Sequence, residues 1–319
     1  MPLISAVVCT YNRCESLRDT LRSLLAQALG EGVSLEVIVV DNNSADRTRQ
    51  VVESFARASH WPVRYVFESR QGKSHALNRG IQAAQGDLIA FTDDDVLVEP
   101  SWVQALAEAL LTHHADCVGG KILLRWSQPP PAWLLQHGLL GGLGFLDRGP
   151  HPIVAEEPNE GFLHGANIAF RKEIFAELGG FRTDLGRIGK KRMAGEETEM
   201  LRRLFKAGKR VVYTPDAVVH HYVPPEHMRK SHMCRMRFRN FWSLMLITDP
   251  RSDRLPLWLV RECFANGVAS VWAYARGRRE QGLRLELVCW AQLGMLVGTA
   301  NRRWKQQSPP AVNVGSQHD

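Results

Sequence analysis

"LIAFTDDDVLVEP", residues 88–100, decides how the rest of the chain is read. An apolar run from Leu88 ends in three consecutive aspartates, Asp93, Asp94 and Asp95. Three adjacent carboxylates repel one another. A solvated turn tolerates such a run, since Asp readily populates turns. A helix cap needs only one acceptor, so capping alone does not call for three. A divalent cation of the magnesium or manganese kind takes oxygen ligands, often one or two carboxylates plus phosphate oxygens. Around such a cation the cluster becomes favourable.

The same pattern recurs upstream. "LISAVVCTYN" (residues 3–12) and "LEVIVVDNNS" (residues 35–44) are apolar runs that end in polar residues. Each reads as a buried strand, and each precedes a helical spacing of apolar residues, such as Leu17, Leu21, Leu24 and Leu25. "VRYVFE" (63–68) reads as a third strand and "GKSHALNRGIQAA" (72–84) as a loop feeding a helix. After Pro100, residues Val103, Leu106, Leu110 and Leu111 mark the buried face of another helix. Strand and helix in alternation predict an α/β fold with a mostly parallel central sheet flanked by helices. Ligands in such sheets sit at the carboxyl ends of the strands. "TYN", "DNNS" and "TDDD" are therefore expected to converge.

Further along, residues 126–149 are rich in Pro, Gly, Leu and Trp and read as a lid or mobile connection. "AGEETEMLRRLFKAG" (194–208) reads as an amphipathic helix with acids in its first turn, and "RVVYTPDAVVHHYVPP" as two short strands. The 319 residues are 45% hydrophobic and 23% charged, ordinary globular values. Residues 1–120 hold 10 Lys/Arg and 15 Asp/Glu, against 30 and 18 in the remainder. An acidic front half argues against general nucleic-acid binding, and the basic rear half suits an anionic partner. Six scattered cysteines without a CxxC pair fit unpaired thiols in a reducing compartment. His113, His114 and Cys117 lack the further ligands that a zinc site needs. No signal peptide and no apolar run of spanning length is evident.

Six stretches, "VVCTYNR", "VVDNNSAD", "RQGKSHALNRG", "FTDDD", "HGANIAFRK" and "GEETEM", resemble in order the successive motifs of family 2 glycosyltransferases. The resemblance runs from about residue 3 to residue 225. It implies a GT-A fold over residues 1–225, with a nucleotide-binding half (1–98) and an acceptor half (99–225). It also implies an inverting, metal-dependent transfer from a nucleotide-diphospho-sugar to a hydroxyl on a glycan, polysaccharide or lipid-linked acceptor. By position, Thr10, Tyr11, Asn12 and Asp41 would hold the base and ribose. A carboxylate accepts from a base N–H, while Tyr11 serves equally for stacking or for packing. Arg70 and Lys73 would meet phosphate or ribose. The aspartate run matches the DXD motif: Asp93 against ribose or the Mn2+ or Mg2+ ion, Asp95 on the metal, and Asp94 in the nucleotide site.

"GEETEM" matches a motif whose carboxylate deprotonates the acceptor hydroxyl. Its second acid is usually Asp and here is Glu197, so Glu196 and Glu197 both stand as the base, with Glu197 favoured. Helix-dipole stabilisation is the other use of such acids. His221, after an apolar run, matches a third metal ligand. Gly165 and Asn167 match the acceptor-side segment, where small residues let substrate approach the backbone.

Residues 226–307 read as a helical, basic and aromatic segment. It either packs on or pairs with protein, or makes peripheral membrane contact at the cytoplasmic face. Residues 308–319 read as a disordered tail. Two other functions remain in view. A sugar-phosphate nucleotidyltransferase would open on a Gly-rich basic loop, which "CTYNRCES" lacks. A nucleic-acid-binding protein would use the basic stretch 228–242, and the acidic front half opposes it.

Overall fold

The computed structural model describes residues 2–30, 32–135, 138–156, 161–188, 191–192, 195–247 and 257–307. The predicted tail lies outside them. The chain divides into two compact units, Met1–Arg229 and Lys230–Asp319.

The first unit is a nine-stranded sheet with helices on its faces. In chain order the strands are β1 (Leu3–Thr10), β2 (Ser34–Asp41), β3 (Val63–Phe67), β4 (Leu88–Asp93), β5 (Val96–Val98), β6 (Cys117–Trp126), β7 (Ile153–Val154), β8 (Ile168–Arg171) and β11 (Val211–Val223). A separate two-residue pair, β9 (Arg187–Ile188) and β10 (Lys191–Arg192), stands outside this sheet. The spatial order is β3-β2-β1-β4-β8-β6-β11-β5, with β7 on β11. Strands β3, β2, β1, β4, β6 and β11 run one way; β8, β5 and β7 oppose them. The expected mostly parallel α/β sheet is the observed one.

The strands are continuous apolar runs because helices cover both faces. Ile4, Ala6, Val7 and Val8 of β1 and Val37–Val40 of β2 are fully buried. The covering helices are α1 (Cys14–Leu25), α2 (Thr48–Ala58), α3 (Lys73–Ala83), α4 (Trp102–Thr112), α5 (Glu173–Leu178) and α6 (Glu196–Lys206). Leu17, Leu21 and Leu24 of α1 are fully buried, each contributing about 1.5–3 kcal/mol relative to exposure. Below the end of β4, the rings of Phe91, Phe170, Phe175 and Phe181 pack edge-on or tilted with centroids 5.2–6.2 Å apart. Such pairs add about 0.5–1.5 kcal/mol each beyond area burial, and they fix β4 to β8.

Two details differ from the sequence reading. On α4, Leu111 is exposed and Trp102 is fully buried, so the inward face starts one residue earlier than expected and ends at Leu110. Residues 211–223 form a single thirteen-residue strand rather than two, with a register shift between Thr214 and Val218. Pro215 lacks the N–H for a ladder bond, and the bulge lets the strand continue past it. The lid-like segment 126–149 holds two short 3-10 turns, Ala132–Leu135 and Leu140–Leu143, anchored by buried Leu134, Leu139 and Leu143.

The second unit contains α7 (Lys230–Ile247), α8 (Leu257–Ala275) and α9 (Arg279–Gln307). Helix α9 packs along both others. Rings of Phe238 on α7 and Trp290 on α9 meet edge-on, 6.3 Å apart.

Candidate active site

Register sets the site. Thr10 pairs with Asp41, and Cys9 with Asp93, so the ends of β1, β2 and β4 lie side by side. The loops leaving them are braced to one another. Asn12 takes the left-handed conformation. Its Oδ1 accepts from the Ala45 amide, and its own amide donates to Ser44 Oγ. Asp46 accepts from the Cys14 amide at the start of α1 and from the Thr48 amide at the start of α2, so one carboxylate caps two helices. Asn42 holds the next loop: its Nδ2 donates to the Arg70 carbonyl and its Oδ1 accepts from the Gly72 amide. That loop delivers Lys73 to the cleft.

Among the aspartates the three side chains have different surroundings. Asp94 is buried. Thr10 Oγ1 donates to its Oδ2 at 2.7 Å, and Arg13 to its Oδ1 at 3.1 Å. Burial pushes its carboxyl up to about 6; the neighbouring Asp95 and Asp93 add to the rise, while Arg13 and Thr10 oppose it. Arg13 also reaches Asp95 Oδ2 at 2.8 Å. Burial disfavours the Arg13 cation, yet the two aspartates outweigh it and raise its pKa further. Thr10 and Asp94, expected from the sequence as nucleotide contacts, meet each other at these strand ends. Their polar atoms are taken up with each other and with Arg13, so they brace the strand ends.

Asp93 ends β4, and Asp95 stands on the turn between β4 and β5. Strand β11 lies antiparallel to β5 and sets His221 opposite Val96, next to them. Asp93, Asp95 and His221 each offer a ligand atom within 4.8 Å of the others. His221 Nε2 is 3.4 Å from Asp95 Oδ1. Asp95 Oδ1 and His221 Nδ1 are buried without a hydrogen-bond partner. Buried polar atoms normally have one, so these orphans fit a ligand or ion drawn to two carboxylates and an imidazole. The neighbouring His220 points the other way along the strand and bonds Glu99 at 2.6 Å.

Opposite the aspartates lies the first turn of α6. Gly195 precedes it in the left-handed region, at φ 110°, a conformation that favours glycine. Glu196 is buried, whereas the Glu197 side chain is 19% exposed. Glu199 pairs instead with Arg203 at 2.9 Å. Lys73 Nζ lies 3.2 Å from Asp93, 3.5 Å from Glu196 and 3.2 Å from Glu197. It thus meets carboxylates from both halves of the unit. Gly165 lies against the Glu197 carboxylate so closely that a methyl group there would overlap it. Cys9, Lys73, Asp93, Gly165 and Glu197 line one small cleft. His164 sits near Glu197, His221 and Asp93, and burial lowers its pKa.

The other predicted residues fall into place around this cleft or away from it. Asp41 is buried; its Oδ1 accepts from the Ser44 amide and its Oδ2 from the Tyr65 hydroxyl at 2.8 Å. Tyr11 is 46% exposed, which removes the core-packing alternative. Arg70 forms a two-pronged pair with Glu68. Asn167 does not face the cleft. It is fully buried, donates to the Lys121 and Ala217 carbonyls, and accepts from Trp102 Nε1 at 2.8 Å. Asn167, expected on the acceptor side, acts in the fold as a strut joining β8, α4, β6 and β11.

Sequence reasoning missed Arg13, Asn42 and His164. The string "YNRCES" did offer one cation next to the first strand end, and that was the available signal for Arg13.

Residues 5–179 match the sequence family described as Glycosyl transferase family 2. The glucosyl-dolichyl phosphate glucuronosyltransferase of Haloferax volcanii is 31% identical over 243 residues, 75% of this chain and 74% of that one. The succinoglycan biosynthesis protein ExoM of Rhizobium meliloti is 30% identical over 234 residues, 73% of this chain and 71% of the relative. Among solved structures, the mannosyltransferase PcManGT of Pyrobaculum calidifontis, in complex with GDP-Man and Mn2+, superposes with a TM-score of 0.60. It is 19% identical, over 96% of this chain and 88% of that one. At that identity the likeness speaks to fold.

Proposed function

The chain belongs to glycosyl transferase family 2 and has the GT-A type of fold, and from that premise we propose that it transfers a sugar from a nucleotide-diphospho-sugar to a hydroxyl group with inversion at the anomeric carbon. Glycosyl transfer is the family's activity. The donor, the cation and the stereochemistry are the proposal. The acceptor is a glycan or a lipid-linked sugar, classes in keeping with the two relatives named above.

Asp93, Asp95 and His221 would hold a divalent cation, Mn2+ or Mg2+. Bound there, the cation would offset negative charge on the departing nucleotide diphosphate. Asp41 and Tyr11, at neighbouring strand ends, would receive the base, with Asn12 holding the loop between them. Arg70 stands on the loop that precedes Lys73 and is the nearer of the two to solvent. Lys73 leaves its carboxylates for the donor's phosphates as the donor enters.

Glu197 is the base. It accepts the proton of the acceptor hydroxyl, the hydroxyl oxygen forms the new bond to the anomeric carbon, and the bond to the diphosphate breaks with its electron pair leaving on the phosphate. Two features support Glu197 over Glu196: its carboxylate is partly exposed and lines the cleft, and Gly165 gives it room on the acceptor side.

The observation that carries the reading is that Asp93 meets Asp95 and His221 on one side and, through Lys73, the Glu197 carboxylate on the other, bringing three distant segments together. The test is incubation with Mn2+ and a panel of nucleotide sugars, read as nucleotide diphosphate release. Release that depends on the metal and is lost in Glu197→Gln supports it. Absence of release across the panel, with no nucleotide diphosphate bound, contradicts it.

A further inference from the structure

Helix α8 is amphipathic in the reverse sense. Leu257, Trp258, Phe264, Val268, Val271 and Trp272 are between 46% and 81% exposed. Their spacing of three and four residues places most of them on one stripe. Uncharged polar side chains face inward instead: Asn266 Nδ2 donates to Gln292, Ser270 Oγ to the Gly282 carbonyl, and the Tyr274 hydroxyl to Glu286. A helix at a water-facing surface normally does the opposite, and a contiguous exposed apolar patch marks a binding surface.

Charge indicates what binds it. Residues 230–319 carry 14 Lys/Arg and 6 Asp/Glu. Arg261 is exposed on the apolar stripe, and Arg276, Arg278 and Arg279 are exposed in the turn from α8 into the start of α9. The Arg276 guanidinium lies 4.3 Å from the Trp272 ring centre. Arg261, Phe264, Val268, Trp272, Arg276 and Leu285 line a single open groove. Glu262, the acid on α8, is bonded to Gln292 on α9. Arginines interleaved with large apolar side chains complement a surface that is anionic outside and apolar beneath. A second copy of the same face would set arginine against arginine. No helix among the described residues is long and apolar enough to cross a membrane.

We propose that α8 lies flat on an anionic phospholipid bilayer. Trp258, Phe264 and Trp272 enter the boundary between headgroups and acyl chains, and Arg261 and Arg276 meet lipid phosphates. The stretch 228–242 is not the docking face: Met233 and Cys234 are buried and Phe238 and Trp242 are half-buried. This inference goes beyond the transfer reaction and depends on no particular donor or acceptor.

Co-sedimentation tests it, using the full chain with vesicles of phosphatidylcholine alone or mixed equally with phosphatidylglycerol. The protein is expected to pellet with the mixed vesicles, less so at high salt, and weakly with phosphatidylcholine alone. Arg261→Gln and Arg276→Gln should each weaken binding about fivefold, and Phe264→Ser with Trp272→Ser about tenfold or more. All four side chains are exposed, so the melting midpoint should hold, and it is measured for each variant. Absence of binding to mixed vesicles overturns the proposal, as does equal binding by every variant. A concentration-dependent dimer that Phe264→Glu dissolves, without vesicle binding, also overturns it and gives the face to a second copy.

Discussion

The Lys73 ammonium lies 3.2 Å from the Glu197 carboxylate across 124 residues of chain. The same ammonium touches Asp93 at 3.2 Å and Glu196 at 3.5 Å. Lys73, at the start of α3, therefore holds the acid pair of α6 and Asp93 at the end of β4 in one electrostatic unit. That arrangement offsets the repulsion among carboxylates that the sequence forces together.

A resident cation competes with an incoming one. Replacing Lys73 with Met should tighten Mn2+ binding in the absence of nucleotide about tenfold, while lowering donor turnover. Isothermal titration with Mn2+ alone, beside a turnover assay, separates the two effects. Unchanged metal affinity would show that Lys73 does not act as the internal counter-charge.

Gly165→Ala tests the position of the base. The added methyl overlaps the end of a flexible side chain, Glu197, which can move aside. Stability should change by less than about 1 kcal/mol. A displaced base costs far more in rate, so kcat should fall about a hundredfold. A variant with normal kcat would remove Glu197 from the reaction.

Asn167 predicts the converse. Asn167→Ala leaves Trp102 Nε1 and the Lys121 and Ala217 carbonyls without their partner in the core. Unsatisfied buried groups cost about 1–3 kcal/mol each, partly relieved by relaxation. Chemical denaturation should show a loss of about 2–4 kcal/mol, with KM for the acceptor unchanged in the folded fraction. A raised acceptor KM with intact stability would restore Asn167 to the acceptor site.

Glu68 gives a pH signature. The Arg70 side-chain hydrogen bonds hold its carboxyl down to about 2, against burial, which raises it. A carboxyl whose folded pKa is depressed stabilises the fold above its unfolded value, about 4.3. That contribution is lost as pH falls from there towards 2. Melting midpoints measured across that window should fall more steeply for the wild type than for Glu68→Gln. Parallel curves would contradict the assignment.

Much of this was legible in the sequence, for an identifiable reason. Apolar runs that end in polar residues report their own strand ends, so the convergence of Asp41, Asp93 and the residues after β1 followed from the parallel sheet. Asp95, Glu197 and His221 followed from motifs in order. What the sequence did not yield was the division of labour among neighbours. Asp94 differs from Asp93 and Asp95 because it is buried and both its oxygens are occupied, by Thr10 and by Arg13, 81 residues earlier, whereas Arg13 takes only one oxygen of Asp95. Asn167 resembles a site residue in its motif but meets Trp102 in the core. Helix α8 has apolar residues at helical spacing, and spacing alone does not say which way they face. Each of these depends on long-range contacts, which periodicity within one element does not encode.

The central claim is that Asp93, Asp95 and His221 form a cation site that binds the donor's diphosphate. The most direct measurement is a thermal shift with nucleoside diphosphates, with and without Mn2+, for the wild type and Asp95→Asn. A ligand present at a hundred times its dissociation constant stabilises the folded chain by about 2.7 kcal/mol. The account predicts a clear rise in the wild-type midpoint with nucleotide and Mn2+ together, and little or none in Asp95→Asn or without metal. An equal rise without Mn2+, or in Asp95→Asn, would contradict it.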